Sequence, residues 1–118
     1  MGLPNRQINY KLGKGQDMKS EQYMKKAFLQ AQKGDLDGAV RTFKKVIELN
    51  DDEIASIQAR CCLGEYYYEC QNYTLAKEYF DYILERQEKL EDEYDDLLDE
   101  EITIANELTE LIEKNSLA

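Results

Sequence analysis

The feature that most restricts how this chain can fold is an internal repeat with an offset of 37 residues. Residues 34–46 read GDLDGAVRTFKKV, and residues 71–83 read QNYTLAKEYFDYI. The identical positions are an alanine (Ala39 and Ala76) and a phenylalanine (Phe43 and Phe80). A small residue lets two helices approach closely, and an aromatic residue one turn later fills the space beside them. The repeat therefore predicts two copies of one unit that pack in series.

The composition favours helices over strands. Alanine, leucine, glutamate, lysine and glutamine dominate the body of the chain, and these residues have high helix propensities. The single proline is Pro4 and the last glycine is Gly64, so no obvious helix breaker follows. Apolar residues recur at spacings of three and four, which is the helical period. The predicted helices cover about 20–33, 37–49, 54–70, a fourth from Thr74, and a segment from 90 to 115.

Polar residues mark the ends of these helices. Gly34 is expected to end the first helix, because glycine adopts the left-handed backbone conformation common at helix ends. Asn50, Asp51 and Asp52 form a polar turn that can cap the third helix, and Thr74 is the predicted N-cap of the fourth. Short turns between helices predict two helical hairpins.

On these residues the chain resembles the tetratricopeptide repeat family, whose helical hairpins repeat every 34 residues. The three extra residues can be accommodated between Asn50 and Ile54. The resemblance covers about residues 20–88, and Arg60 departs from it because the family has an aromatic residue there. The positions that carry the resemblance are Ala39, Phe43, Leu63, Gly64, Tyr67, Ala76 and Phe80.

The resemblance implies an all-α, right-handed superhelical stack of about five helices. Residues 1–17 contain glycines, the proline and no helical period, so they are predicted to be a flexible basic arm. Residues 18–118 are predicted to be a single domain of this type. Its repeats would cover about 20–53 and 57–90, and a capping helix would cover about 91–115.

The C-terminal segment allows two interpretations. A repeat array needs a terminal helix that covers its last apolar face, which would require a turn between about Glu88 and Glu93. Alternatively, apolar residues seven apart indicate one long helix from Thr74 that self-associates as a coiled coil. Those heptad residues are Ile83, Leu90, Leu97, Ile104 and Leu111.

Several classes of function lack a signal in the sequence. The chain has no histidine, no glycine-rich phosphate loop and no nucleophile beside a recognisable base, so we expect no enzyme activity, no cofactor and no catalytic residue. Three cysteines (Cys61, Cys62 and Cys70) without histidine give no workable metal site. Residues 1–33 carry a net charge of +5 and the remainder −15, so nucleic acid is not an expected partner.

The same resemblance implies a peptide-binding groove, because the first helix of each hairpin lines the concave side in this family. The implied groove residues are Met24, Phe28, Ala31, Gln32, Gln58, Cys61, Glu65, Tyr68 and Glu69. Apolar side chains and two glutamates favour a protein or peptide partner with apolar anchors and basic flanks. We therefore expect a monomeric cytoplasmic adaptor that does not enter membranes. The alternatives are a homodimer formed through the heptad and a small acidic secretion chaperone of similar repeat type.

Overall fold

The computed structural model describes residues 18–115, and this part of the chain contains six α-helices and no strand. The helices are α1 (Ser20–Gln32), α2 (Leu36–Leu49), α3 (Glu53–Glu69), α4 (Tyr73–Glu85), α5 (Gln87–Tyr94) and α6 (Asp99–Lys114). The predicted all-α class is confirmed. The expectation of about five helices was wrong, because the C-terminal segment contains two helices. The predicted basic arm, residues 1–17, lies outside the described residues.

Side-chain caps explain where the central helices begin. The carboxylate of Asp52 accepts a hydrogen bond from the backbone N–H of Ala55 at 3.1 Å, which confirms the predicted cap of α3. The N-cap of α4 is Asn72, whose side chain accepts from the backbone N–H of Leu75 at 3.3 Å. The prediction that Thr74 caps this helix was therefore wrong, since Thr74 already lies inside it.

The 37-residue repeat extends to the backbone conformation of the two corners. Gly34 has a φ of +86°, and Gln71, which is 37 residues later, has a φ of +64°. The N–H of Asp35 bonds to the carbonyl of Gln30 at 2.8 Å, and the N–H of Asn72 bonds to that of Tyr67 at 2.9 Å. The two hairpins α1–α2 and α3–α4 therefore turn through the same hydrogen-bonded corner.

Two hydrophobic clusters hold the helices together. The first lies mainly between α1, α2 and α3, and its buried members are Met24, Ala27, Ala39, Phe43, Val46, Ala55, Ala59 and Leu63. The second lies between α3, α4, α5 and α6, and its buried members are Ile57, Cys61, Ala76, Phe80, Ile83, Leu90, Leu98, Ile102, Ala105 and Ile112. Helix α3 contributes to both clusters and therefore joins the two hairpins.

The contact between α3 and α4 depends on the absence of a side chain at Gly64. A Cβ atom placed there would lie 2.5 Å from Cε1 of Phe80, which is closer than carbon atoms can pack. Phe80 is fully buried, so its ring has little space to move away. Gly64 is therefore needed because the phenylalanine of the second hairpin packs directly on its backbone.

Residues 73–114 form three separate helices, α4, α5 and α6, rather than the one long helix from Thr74 that the coiled-coil interpretation required. The helical conformation breaks at Arg86 and again over residues 95–98, where Asp95 has a φ of +54°. Residues 88–93 are helical, so the turn expected between Glu88 and Glu93 was wrong. Helix α6 packs against α4 and α3, and it covers the second cluster.

Helix α5 is also connected to the start of α3 by polar contacts. Lys89 forms an ion pair with Glu53 at 3.0 Å, and the hydroxyl of Tyr94 donates to the same carboxylate at 2.8 Å. These hydrogen bonds lower the pKa of Glu53. Within residues 18–115, no helix is both long and apolar enough to cross a membrane.

Candidate peptide-binding groove

An apolar cavity of about 480 Å³ opens between α1, α2 and the C-terminal half of α3. Its lining is mostly aliphatic, aromatic or sulfur-containing, and two carboxylates, Glu65 and Glu69, lie at its edge. The lining residues are Phe28, Ala31, Leu36, Ala39, Val40, Phe43, Cys62, Glu65, Tyr66, Glu69 and Cys70. This volume lies within the range of small-ligand pockets, and it is large enough for one or two apolar side chains.

A smaller acidic cavity of about 250 Å³ lies beside the apolar one, between α1, α3 and α6. Its lining residues are Phe28, Gln58, Cys61, Cys62, Glu65, Glu100, Glu101 and Ile104. Phe28, Cys62 and Glu65 line both cavities, so the two are adjacent. We call the two cavities together the groove. Helix α6 therefore covers the second cluster and also supplies one wall of the groove.

Phe28 is the most prominent apolar side chain between the two cavities. It is 52% exposed, although its ring packs edge to face on the buried ring of Phe43 at a centroid distance of 5.4 Å. That geometry is a favourable arrangement of aromatic pairs, so it holds an exposed ring in one orientation. An exposed aromatic side chain that is already fixed loses little entropy when a partner covers it.

The carboxylates of the groove are partly removed from water. Burial raises the pKa of Glu65, and the charge of Glu100 raises it further. Burial also raises the pKa of Glu101, with Glu100 again contributing. A positive charge placed among these carboxylates would stabilise their ionised forms. The electrostatics of the groove therefore favour a cationic group.

Two of the three thiols that line the groove, those of Cys61 and Cys62, are not activated as nucleophiles. Burial raises the pKa of Cys61, and it raises the pKa of Cys62 to about 12. Both thiols are therefore protonated at neutral pH, whereas the thiolate is the reactive form. The three cysteines are free, and within residues 18–115 no group of three potential ligands could hold a metal ion.

The structure brings together six of the nine groove residues that the resemblance implied. These are Phe28, Ala31, Gln58, Cys61, Glu65 and Glu69. Met24 instead lies buried in the first hydrophobic cluster. Tyr68 lines neither cavity, because it packs edge to face on Tyr73 at 5.4 Å. Gln32 lines neither cavity and instead lies in a shallow depression on α1 that also includes Phe28 and Ala31.

Sequence reasoning missed several lining residues because it considered only the first helix of each hairpin. Helix α2 supplies Leu36 and Val40, and α6 supplies Glu100, Glu101 and Ile104. Leu36 was a usable sequence signal for a binding surface, because it is an apolar residue directly after the predicted Gly34 corner, and the structure leaves it exposed. The acidic run containing Glu100 and Glu101 gave no such signal, because the sequence did not place α6 beside α3.

Comparison of the chain with family models, with curated proteins and with solved structures gives no match. The function is therefore argued from the geometry of the groove itself.

Proposed function

We propose that this chain is a cytoplasmic protein-interaction module of the tetratricopeptide type. Its groove would bind an extended or helical peptide segment of a partner protein. The observation that carries the proposal is an apolar cavity whose lining includes the exposed ring of Phe28 and the carboxylates of Glu65 and Glu69. The two matching hairpin corners support the assignment to the repeat type.

The chemistry of the groove specifies the preferred peptide. An aliphatic or aromatic side chain would fill the apolar cavity beside Leu36 and Val40. A lysine or arginine close to it would reach Glu65, Glu100 or Glu101 in the acidic cavity. Such a peptide would combine one apolar anchor with a charge contact, and anchors of this kind contribute most of the affinity in peptide recognition.

Selection from a random peptide display library tests this specificity. We expect the selected peptides to share an apolar anchor within a few residues of lysine or arginine. A fluorescently labelled representative should bind the Phe28→Ala and Glu65→Lys variants about tenfold more weakly than wild type. The controls Leu49→Ala and Glu107→Lys change an exposed apolar residue and an exposed glutamate outside the groove, so they should retain wild-type affinity. Equal losses in the controls, or selected peptides without a basic residue, would count against the groove.

A second candidate function, self-association, has one specific observation in its favour. Two of the heptad leucines remain exposed, Leu97 at 58% and Leu111 at 42%. Ile83 and Leu90 of the same heptad are fully buried inside the chain, so they cannot extend a seam between two copies. A dimer formed through the heptad would therefore involve Leu97, in the turn before α6, and Leu111 on α6. Light scattering after size exclusion, with Leu97→Asp as the disrupting variant, separates this candidate from a monomeric module.

A further inference from the structure

The face of α3 that points away from the groove carries a stripe in which tyrosines alternate with cations. Arg60 and Tyr67 lie on this face, roughly 180° around the helix from Gln58 and Glu65 at 3.6 residues per turn. The stripe begins at Lys44 of α2 and continues along α4 with Tyr79 and Tyr82. It ends at Arg86, directly after α4. We call these six residues the cation–tyrosine stripe.

Tyr82 is the centre of the stripe. The guanidinium carbon of Arg60 lies 3.5 Å from the centroid of its ring, and that of Arg86 also lies 3.5 Å from it. Two guanidinium groups cannot occupy the same face of one ring at this distance, so they lie on opposite faces. Stacking on an aromatic ring fixes the plane of a guanidinium group while leaving its N–H donors free at the edge.

The other end of the stripe is similarly ordered. The rings of Tyr67 and Tyr79 are parallel, with centroids 6.0 Å apart. The ammonium of Lys44 lies 5.6 Å from the centroid of the Tyr67 ring. A hydrogen bond to Tyr67 raises the pKa of Lys44, so this lysine is fully charged at neutral pH. The cations therefore occupy fixed positions along one edge of the molecule.

These cations have few internal partners, although the chain has a net charge of −10. Within residues 18–115, neither Lys44 nor Arg60 forms an ion pair. The Nε of Arg60 is buried and has no hydrogen-bond partner there, so a ligand would reach Arg60 through its terminal nitrogens. The only ion pair of Arg86 among the described residues is with the neighbouring Glu85, at 3.7 Å, and that carboxylate is mostly exposed. One guanidinium nitrogen of Arg86 also donates to the backbone carbonyl of Tyr82 at 3.0 Å, and its other N–H donors have no carboxylate partner within this range. Only one ion pair in this part of the chain, Arg86 with Glu85, therefore involves these three cations, so they form an electropositive patch on an otherwise acidic chain.

We propose that the cation–tyrosine stripe binds an acidic peptide segment of a partner protein, with carboxylates held by Lys44, Arg60 and Arg86. Charge complementarity selects such a segment, and the tyrosine rings provide flat surfaces for its apolar atoms. A nucleic acid is also anionic, so tighter binding of oligothymidylate than of poly-L-glutamate is an outcome that the test below must exclude. This inference is independent of the groove, which has the opposite charge and lies on the other side of α3.

Binding of poly-L-glutamate of about 20 residues, measured by fluorescence anisotropy at low salt, tests the proposal. We expect the Lys44→Gln/Arg86→Gln double variant to bind roughly three- to tenfold more weakly than wild type, as expected for the loss of two exposed charge contacts. The control is Lys26→Gln/Lys45→Gln, which removes the same charge from exposed positions outside the stripe. This control should bind like wild type, and thermal unfolding should show that both variants are folded.

Three results would overturn the proposal. They are no binding of poly-L-glutamate to the wild type, equal weakening in both double variants, and tighter binding of oligothymidylate than of poly-L-glutamate. The Glu65→Lys variant separates this site from the groove. It should lose the groove peptide but retain poly-L-glutamate, so failure at one site is distinguishable from failure at the other.

Discussion

At the scale of single residues, the groove carboxylates link stability to pH. Glu65 and Glu101 have pKa values raised above the ordinary 4.5, mainly by burial. Between the ordinary and the raised values the folded state binds more protons than the unfolded state, so stability falls as pH rises through this interval. The groove therefore retains two carboxylates that oppose folding when ionised, which is typical of groups kept for binding.

This linkage gives a prediction for the Glu65→Gln/Glu101→Gln variant. Its stability relative to wild type should increase as pH rises from about 4.5, because the variant has no charge to desolvate. Urea unfolding at several pH values would measure the difference, and Glu107→Gln/Glu110→Gln, at exposed positions of α6, is the control. A difference between variant and wild type that does not change with pH would contradict the assignment.

A second prediction at this scale concerns Gly64. The Gly64→Ala variant should be destabilised by about 1–3 kcal/mol, because the new methyl group would overlap the ring of Phe80. The Phe80→Leu substitution should be less harmful in the Gly64→Ala background than in wild type, since a smaller side chain relieves the overlap. A double-mutant cycle from chemical denaturation measures this coupling. Additive effects would show that the two residues do not press on each other.

At the scale of elements, the two hairpin corners differ in one informative residue. Both corners need a left-handed residue, but the first has Gly34 and the second has Gln71. A side chain in this conformation costs about 1 kcal/mol. Gln71→Gly should therefore raise the free energy of unfolding by about 0.5–1 kcal/mol, although part of the gain is offset by the freedom of glycine in the unfolded chain.

Thermal and chemical unfolding would test this expectation. The reciprocal Gly34→Ala variant should be destabilised by about 1 kcal/mol. Gln32→Gly should also be destabilised, because it replaces the last residue of α1 with glycine, which has a low helix propensity. No gain for Gln71→Gly would mean that the second corner does not hold this residue in the left-handed conformation.

The residues of the heptad pattern differ in burial. Leu90 is the only residue of α5 that is fully buried, whereas Leu97 is largely exposed. Leu90→Ala should cost about 2–4 kcal/mol, and Leu97→Ala should cost less than about 0.5 kcal/mol. Denaturant unfolding of the two variants measures both values. Similar costs would indicate that Leu97 is buried in an interface between copies.

The sequence predicted the hairpin elements better than the C-terminal ones for a physical reason. The boundaries of the first three helices lie at residues with local signals: Gly34 follows the end of α1, and Asp52 caps the start of α3. The break at residues 95–98 has no glycine or proline, and Asp95 adopts a positive φ there. Tertiary packing of Leu98 and Ile102 on the second cluster accompanies this turn, and such packing is not encoded in local pattern.

The groove was only partly predictable for a related reason. The resemblance to the tetratricopeptide family implied that α1 and α3 line one concave side, and this placed Phe28 and Glu65 near each other. It could not show that Tyr68 would pack on Tyr73 of the next helix. Nor could it show that α6 would bring Glu100 and Glu101 to the opposite wall. Those features depend on how helices distant in sequence are arranged.

At the scale of the whole molecule, α3 separates two surfaces of opposite character. One is an apolar groove with carboxylates at its edge, and the other is the cation–tyrosine stripe. Under the two proposals above, the molecule would hold a basic and an acidic segment at the same time, as a scaffold does. The two buried thiols of the groove, Cys61 and Cys62, stay protonated at neutral pH and are therefore not activated nucleophiles.

The most direct test of the central claim is the location of a bound peptide on the protein. A display-selected peptide with an apolar anchor and a basic flank would be titrated into isotope-labelled protein, and the amide chemical shifts would be followed by NMR. We predict that the largest changes occur at Phe28, Val40 and Glu65 and in the first turn of α6, with little change in α5. Largest changes at Leu97 and along α5, or no localised change at all, would contradict the account.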